Sequence, residues 1–296
     1  MTVRLGVLVL PEHPGRSAAD VWRRVEDLGF RHAWTLDHLS WRSLADQPWF
    51  DAMTTLAGAA CATTTIGLGV LVATPNFRHP VLTAKQVMAL DHLSEGRFVL
   101  GVGAGAAGPD DTALGAAAPT RAERTARFEE FVTLLDRLLR QPVTTFAGRH
   151  FTATDVRMVP GCVQRPRVPL AVAGSGPRGM RLAAGFGDYW VTIGEPAAPG
   201  AEDEERAFGT LRRQTELLDR ICREAGRPAG QLRRLVNLSR VVPDPYRSPG
   251  RLADLVGRCG ELGFTDVVVA HPRADGVFAG DVREFEQAVP QVAGAF

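Results

Sequence analysis

"GLGVLVATPNFRHPVLTAKQVMALDHLSEGRFVLGVGAG" runs from Gly67 to Gly105. Three patterns follow one another in it. "IGLGVLVAT" (66–74) is a short apolar run and reads as a strand. "VLTAKQVMALDHL" (81–93) has its apolar residues at helical spacing. "RFVLGVGAG" (97–105) turns apolar again and ends in glycines. Strand, helix and strand in that order are one repeat of an α/β fold.

The repeat extends in both directions. Before it, "RLGVLVL" (4–10) and "HAWTLD" (32–37) read as strands, each followed by a helix, "SAADVWRRVEDLGF" (17–30) and "FDAMTTLAGAACATT" (50–64). Ser17 and Asp20 stand at the spacing of a capping box. After it comes the helix "APTRAERTARFEEFVTLLDRLLR" (118–140), then a polar excursion, "VTTFAGRHFTATDV" (143–156), that reads as an inserted hairpin. Strands follow at "PLAVAGSG" (169–176), "DYWVTIG" (188–194), "LRRLVNLSRVV" (232–242) and "TDVVVAH" (265–271), each leading into a helix. In "EDLGFRHAW" (26–34) and "ELGFTDVVV" (261–269), Gly ends a helix and a strand follows.

Eight strand–helix units predict an α/β protein of the (β/α)8 TIM barrel type, with a small insertion after the fourth βα unit. The length of 296 residues suits one such barrel, and no Pro-, Gly- or Ser-rich linker divides it, so 1–296 is expected to be one domain. In such barrels the chemistry sits where strands end and helices begin.

Composition narrows the function. With 45% apolar and 23% charged residues, the chain has enough to build a core. A net charge of +1 offers no field for nucleic acid or an anionic membrane. Lys85 is the single lysine. Cys61, Cys162, Cys222 and Cys259 lie far apart without CxxC or zinc spacing, so reduced thiols and no metal are expected. The apolar start meets Pro11 too early for a signal or membrane segment. A soluble cytoplasmic protein is the expectation. No GxSxG or Walker loop supports a hydrolase or kinase.

The strand exits carry the candidates. Asp37 and His38 follow the second strand, within "WTLDHLSW" (34–41). A histidine there can move protons near neutrality; it can equally be a packed residue beside a capping aspartate. Trp34, Trp41 and Trp49 read as core or as walls of an aromatic pocket. "TPNFRHP" (74–80) puts Phe77, Arg78 and His79 in a helix-entry loop, either functional or solvent-exposed. "GAGAAG" (103–108) matches the dinucleotide pattern GxGxxG, but no helix opens at once, and eight units disagree with a six-stranded sheet. The better reading makes Gly103 and Gly105 a strand end that a flat ring can approach. Gly174, Ser175 and Gly176 precede a helix that starts near Pro177; its amides and Arg178 make an anion site, unless the loop is only a tight turn. "LSEGRF" (93–98) precedes a strand, which makes Arg97 structural.

Together these residues resemble the luciferase-like flavin- and deazaflavin-dependent oxidoreductases, on their F420-dependent side. The stretch 67–105 is similar to that family's central signature, and "EDLGFRHAWTLDH", "VAGSGPRGMRLAAGFGDYWV" and "LGFTDVVV" extend the likeness over nearly the whole chain. The resemblance implies a barrel with the cofactor ring in its mouth. It implies a non-proline cis peptide near Leu71–Val72 behind the ring, and a cofactor phosphate or tail on Gly174, Ser175, Gly176 and the start of the next helix. It gives Asp37 a cofactor contact, His38 the acid–base role, and Trp41 a place in the active site. Trp49 and Phe77 are further candidates to line the substrate. One departure stands out. Sugar-phosphate dehydrogenases of this branch carry a glutamate near the end of strand four, where this chain has Ala104, Ala106 and Ala107. The expectation is therefore an F420-dependent reductase, passing hydride to an activated C=C or C=N bond of a small molecule or modified peptide, such as a dehydroamino acid. An FMN-dependent monooxygenase and a non-catalytic flavin-binding barrel are the alternatives. A homodimer is the expected assembly.

Overall fold

A computed structural model describes residues 2–195, 203–228 and 230–293. The eight barrel strands are β1 (Arg4–Leu8), β2 (His32–Thr35), β3 (Gly67–Ala73), β4 (Phe98–Val102), β7 (Leu170–Ala173), β8 (Tyr189–Thr192), β9 (Arg233–Asn237) and β10 (Asp266–Ala270). The strands β5 (Val143–Ala147) and β6 (Thr152–Arg157) pair only with each other, antiparallel, as the inserted hairpin. The hydrogen-bonded order β1-β10-β9-β8-β7-β4-β3-β2 closes on itself. This is the (β/α)8 barrel expected from the eight repeats. Its strands are short, nearly continuous apolar runs, as parallel strands covered on both faces must be.

The helices are α1 (Gly15–Asp27), α2 (Ala52–Ala62), α3 (Pro80–Leu93), α4 (Pro109–Thr112), α5 (Arg121–Arg140), α6 (Pro177–Phe186), α7 (Glu204–Glu224), α8 (Pro249–Glu261) and α9 (Val282–Ala293). Among the described residues, none is long and apolar enough to cross a membrane. Gly29 and Gly263 take φ of +88° and +84° after α1 and α8, the left-handed turn that lets each chain leave its helix for the next strand.

Internal contacts divide the chain into two compact units. One comprises Met1–Val9, Val21–Trp34 and Val172–Phe296; the other comprises Leu10–Asp20 and Thr35–Ala171.

The first unit is built on β1 between β2 and β10. Its charged centre is Asp266, which is fully buried and accepts hydrogen bonds from Arg4 (2.8 Å), His32 (3.0 Å), Thr265 (2.7 Å) and Arg233 (3.2 Å). Burial opposes its charge, but His32, Arg4 and Thr265 outweigh that and hold its pKa at about 2. Trp34 donates its indole N–H to His32 Nδ1 (2.6 Å), so the His32 proton sits on Nε2, facing Asp266. Burial lowers the His32 pKa, in keeping with a neutral ring. Trp34 is therefore a core residue. A Cβ at Gly6 would fall 2.0 Å from the His32 ring, so this cluster demands glycine in β1.

The second unit is built on β3 and β4. The Leu71–Val72 peptide is cis, where the resemblance places it, and the β3–β4 register shifts between Val70 and Ala73. The Val70 carbonyl presses on β4: a Cβ at Gly101 would lie 1.9 Å from that oxygen. Arg97 spends its guanidinium on Ala60, Thr63 and Ile66, tying the end of α2 to the start of β3. Asp91 is fully buried and accepts from the Val163 and Gln164 amides. "DHLSEGR" is thus scaffold.

Several boundaries differ from expectation. Helix α1 starts at Gly15, and Ser17 lies inside it, donating its hydroxyl to the Pro14 carbonyl (2.6 Å) instead of capping the helix. Strand β9 stops at Asn237; Val241 and Val242 turn back to the Leu238 carbonyl, and Leu238–Arg240 form a 3₁₀ turn. The one-turn α4 was not anticipated. Pro109 opens it, and Asp111 accepts the Gly108 amide (3.2 Å). Residues 196–202, between β8 and α7, and residues 294–296 lie outside the described residues.

Candidate active site

Three consecutive strand exits of the second unit converge on Asp37 and His38. The exit of β2 supplies both residues. The loop between β3 and α3 supplies Arg78, and the segment after β4 supplies Asp110 on α4.

Asp37 is 1% exposed, and Arg78 grips it with two hydrogen bonds, Nε to Oδ2 (2.9 Å) and an amino group to Oδ1 (2.6 Å). The same amino group donates to Asp51 (2.7 Å), which caps α2 by accepting the Thr54 amide (2.8 Å). One guanidinium thus joins two carboxylates from two loops. Burial pushes the Asp37 carboxyl up, and the Arg78 hydrogen bonds work against that push. Burial works against the Asp51 charge too, but the Thr54 amide and Arg78 hold it below the usual carboxylate range. Both carboxylates keep Arg78 protonated above its ordinary range, against the cost of its burial. Phe77 is half-buried, and the guanidinium lies 5.1 Å from its ring centroid.

His38 turns away from its sequence neighbour. Its Nδ1 lies 2.5 Å from Asp110 Oδ2, and Asp110 Oδ1 accepts the Leu39 amide (2.9 Å). The His38 carbonyl accepts the Trp49 indole N–H (2.8 Å). Trp41 and Trp49 stack at 6.1 Å, with the imidazole 6.2 Å and 6.4 Å from their rings. Trp41 is buried and Trp49 half-buried, while the His38 side chain is 29% exposed. The arrangement is a partly exposed imidazole with a carboxylate on one nitrogen and indoles around it. It can accept and donate a proton.

The β4 exit is pinned to the same loops. The Gly103 amide donates to the Ala73 carbonyl (3.0 Å). Gly105 has φ +75°, and a Cβ there would meet Asn76 at 2.5 Å. Two buried hydroxyls, Thr35 Oγ1 and Thr74 Oγ1, have no hydrogen-bond partner, and Thr74 directly follows β3 with its cis peptide. Buried polar atoms are almost always paired, so each of these hydroxyls is one that water, an ion or a bound molecule can satisfy.

In the first unit, Gly174, Ser175 and Gly176 join β7 to α6. A Cβ at Gly174 would meet the Gly179 backbone at 2.7 Å, so the loop folds tightly against its helix. Trp190 donates to the Gly174 carbonyl (2.7 Å). Gly176 caps α6 without a side chain, Pro177 occupies the first turn, and a Cβ at Gly176 would meet nothing within 4 Å. Ser175 and Arg178 are exposed. The positive N-terminal end of a helix that opens with proline suits an anion.

Sequence reasoning missed three members of this constellation: Arg78 as the clamp of Asp37, Asp51 as its second carboxylate, and Asp110 as the partner of His38. His79 has a structural place: its ring accepts the Val81 amide (3.2 Å) as the cap of α3 and packs edge-on against Phe151 (5.5 Å). A signal for Asp51 existed, since Asp-x-x-Thr before a helix is capping spacing. Among the described residues no group of His, Cys, Asp and Glu is placed to hold a metal.

The luciferase-like monooxygenase model matches residues 3–248. The chain belongs to that family. Within the luciferase-like family, an F420-dependent glucose-6-phosphate dehydrogenase of Beutenbergia cavernae is 31% identical, with 84% of this chain and 85% of that protein aligned. Another, from Intrasporangium calvum, is 37% identical over 60% of this chain and 53% of its own length. A 4-hydroxyprotoasukamycin monooxygenase of Streptomyces nodosus subsp. asukaensis is 34% identical over 67% and 53%. Against these last two, the match spans about half the relative's length. An F420-dependent secondary alcohol dehydrogenase in complex with an F420-acetone adduct superposes with a TM-score of 0.80 at 20% identity, covering 99% of both chains. At that identity the likeness speaks for the fold.

Proposed function

We propose that this luciferase-like protein is an F420-dependent oxidoreductase in which His38 handles the proton. The observation that carries the reading is the His38 arrangement, a partly exposed imidazole backed by a carboxylate at the exit of a barrel strand. The relatives named as F420-dependent support the choice of cofactor. The residues present fit such a group. In the second unit Thr35 and Thr74 offer buried hydroxyls without hydrogen-bond partners. In the first unit the helix start at Gly174, Ser175, Gly176, Pro177 and Arg178 by itself suits an anionic group, which the resemblance would make the cofactor tail. The cis peptide of Leu71–Val72 would back the ring, and Gly103 and Gly105 would let it approach with little side-chain bulk.

F420, when bound, supplies or takes the hydride at C5. The protein does the rest. His38 gives the substrate its proton, or receives it in the reverse direction. Asp37, clamped by Arg78, holds the β2 exit in place. Trp41, Trp49 and Phe77 present flat apolar surface to the substrate and keep water from the reacting atoms. The substrate we favour has an activated C=C or C=N bond, in a small molecule or modified peptide. A sugar phosphate is disfavoured: Ala104, Ala106 and Ala107 stand where that activity needs a glutamate, and Lys85 donates to the Arg157 carbonyl (2.5 Å).

Equilibrium binding of F420 against FMN, followed by substrate-dependent oxidation of F420H2, tests the reading. Tight FMN binding without F420 affinity would overturn it in favour of an FMN monooxygenase. F420 binding without turnover of any alkene or imine would point to a flavin-binding barrel. His38→Ala should slow turnover by about 10²-fold or more with little loss of cofactor affinity; unchanged turnover removes the role.

A further inference from the structure

We infer that Asp110, not the adjacent Asp37, is the acid that works with His38, and that it fixes the imidazole as its Nδ1–H tautomer so that protons pass only through Nε2. The inference rests on the proposed proton-handling role of His38.

The geometry separates the two aspartates. Asp37 gives both oxygens to Arg78 and has none turned to the imidazole. Asp110 gives one oxygen to His38 Nδ1 (2.5 Å) and the other to the Leu39 amide (2.9 Å). An ionised carboxylate only accepts, so the proton between Asp110 and Nδ1 belongs to the ring. In the neutral imidazole the lone pair then lies on Nε2. The second contact matters as much. The Leu39 amide belongs to the backbone that carries His38, so Asp110 holds the ring and its peptide in one frame. From the other side, Trp49 holds the His38 carbonyl (2.8 Å). Ring rotation and tautomer exchange are both opposed.

The carrier of Asp110 is fixed in turn. Pro109 starts α4, Asp111 accepts the Gly108 amide (3.2 Å), and Arg124 of α5 lies 3.7 Å from Asp111. The Asp110 side chain is 9% exposed, so its bond to the imidazole is little diluted by water. Asp110 acts through His38 and is a positioning residue. In serine-protease triads an aspartate in this relation to a histidine sets the tautomer, and its replacement by asparagine costs about 10⁴ in kcat.

The test is nitrogen NMR of the full-length chain labelled with ¹⁵N-histidine. His38→Gln identifies the His38 signals among the seven histidines. In the wild type the ring should show a protonated Nδ1 and an unprotonated Nε2 at high pH. Asp110→Asn, nearly isosteric, should move population to the Nε2–H form, because the carboxamide can turn its NH₂ to Nδ1. Asp110→Glu retains the carboxylate and should keep more Nδ1–H than Asp110→Asn. An unchanged tautomer in Asp110→Asn overturns the inference, whatever the activity. A changed tautomer with undiminished F420H2 oxidation supports the Asp110 assignment and sinks the chemical role of His38, so the two failures are distinct. If both hold, Asp110→Asn slows turnover about 10²-fold or more while F420 affinity changes little.

Discussion

Arg78 closes a two-point fork on Asp37, and the two side chains are 11% and 1% exposed. The same guanidinium reaches Asp51 at the cap of α2. A side chain from one strand exit therefore holds two neighbouring loops in register with the residue next to His38.

Arg78→Ala strands a buried carboxylate, so a loss of about 3 to 5 kcal/mol is expected. Urea unfolding measures it. Arg78→Lys should recover little, because an ammonium cannot form the planar fork. Wild-type stability in Arg78→Ala would refute the assignment of this pair as a loop clamp.

Acid should weaken the first unit through Asp266. Its folded pKa of about 2 lies below the unfolded value, near 3.9. The stabilisation is fully present above about pH 4 and is lost as pH falls toward about 2, amounting to about 2.5 kcal/mol. His32 acts in the same direction at higher pH. Burial lowers its pKa, so below about 6.5 the unfolded chain binds a proton that the folded ring refuses. Stability measured against pH should therefore fall on acidification in both windows. Asp266→Asn should be less stable at neutral pH and flatter between pH 4 and 2; an unchanged slope there would count against the cluster.

Two glycines should behave oppositely. Gly101→Ala drives a methyl group into the Val70 carbonyl at 1.9 Å and should cost about 3 kcal/mol or prevent folding. Gly176→Ala meets nothing within 4 Å, with φ of −116°, and should change stability by about 0.5 kcal/mol or less. Thermal melts of the two variants decide it; equal melting temperatures would contradict the close approach of β3 to β4.

Trp49→Phe keeps an aromatic ring and removes the hydrogen bond to the His38 carbonyl. We expect a loss of about 1 kcal/mol in stability and a fall in kcat larger than any change in cofactor affinity. Full activity in this variant would show that the carbonyl needs no such anchor.

Much of the barrel was legible because its information is local. Apolar runs at strand length, helical spacing between them, and Gly at the ends of α1 and α8 each depend on a few neighbouring residues. The missed features were those in which a local signal met a competing partner. Ser17 had capping spacing, yet the helix began earlier and its hydroxyl found the Pro14 carbonyl. "LRRLVNLSRVV" had the pattern of a long strand, yet the backbone turned at Leu238.

The sequence alone therefore determined the α/β repeat, the count of eight, the hairpin insertion and the placing of Asp37 and His38 at a strand exit. Only the tertiary structure decided which acid serves which base. Asp37 and His38 are adjacent in the chain, but consecutive side chains diverge. Asp37 is joined to Arg78, 41 residues away, and His38 to Asp110, 72 residues away. Pairings over such distances are set by the closing of the parallel strands, which brings successive strand exits together and leaves no trace in the spacing of residues along the chain.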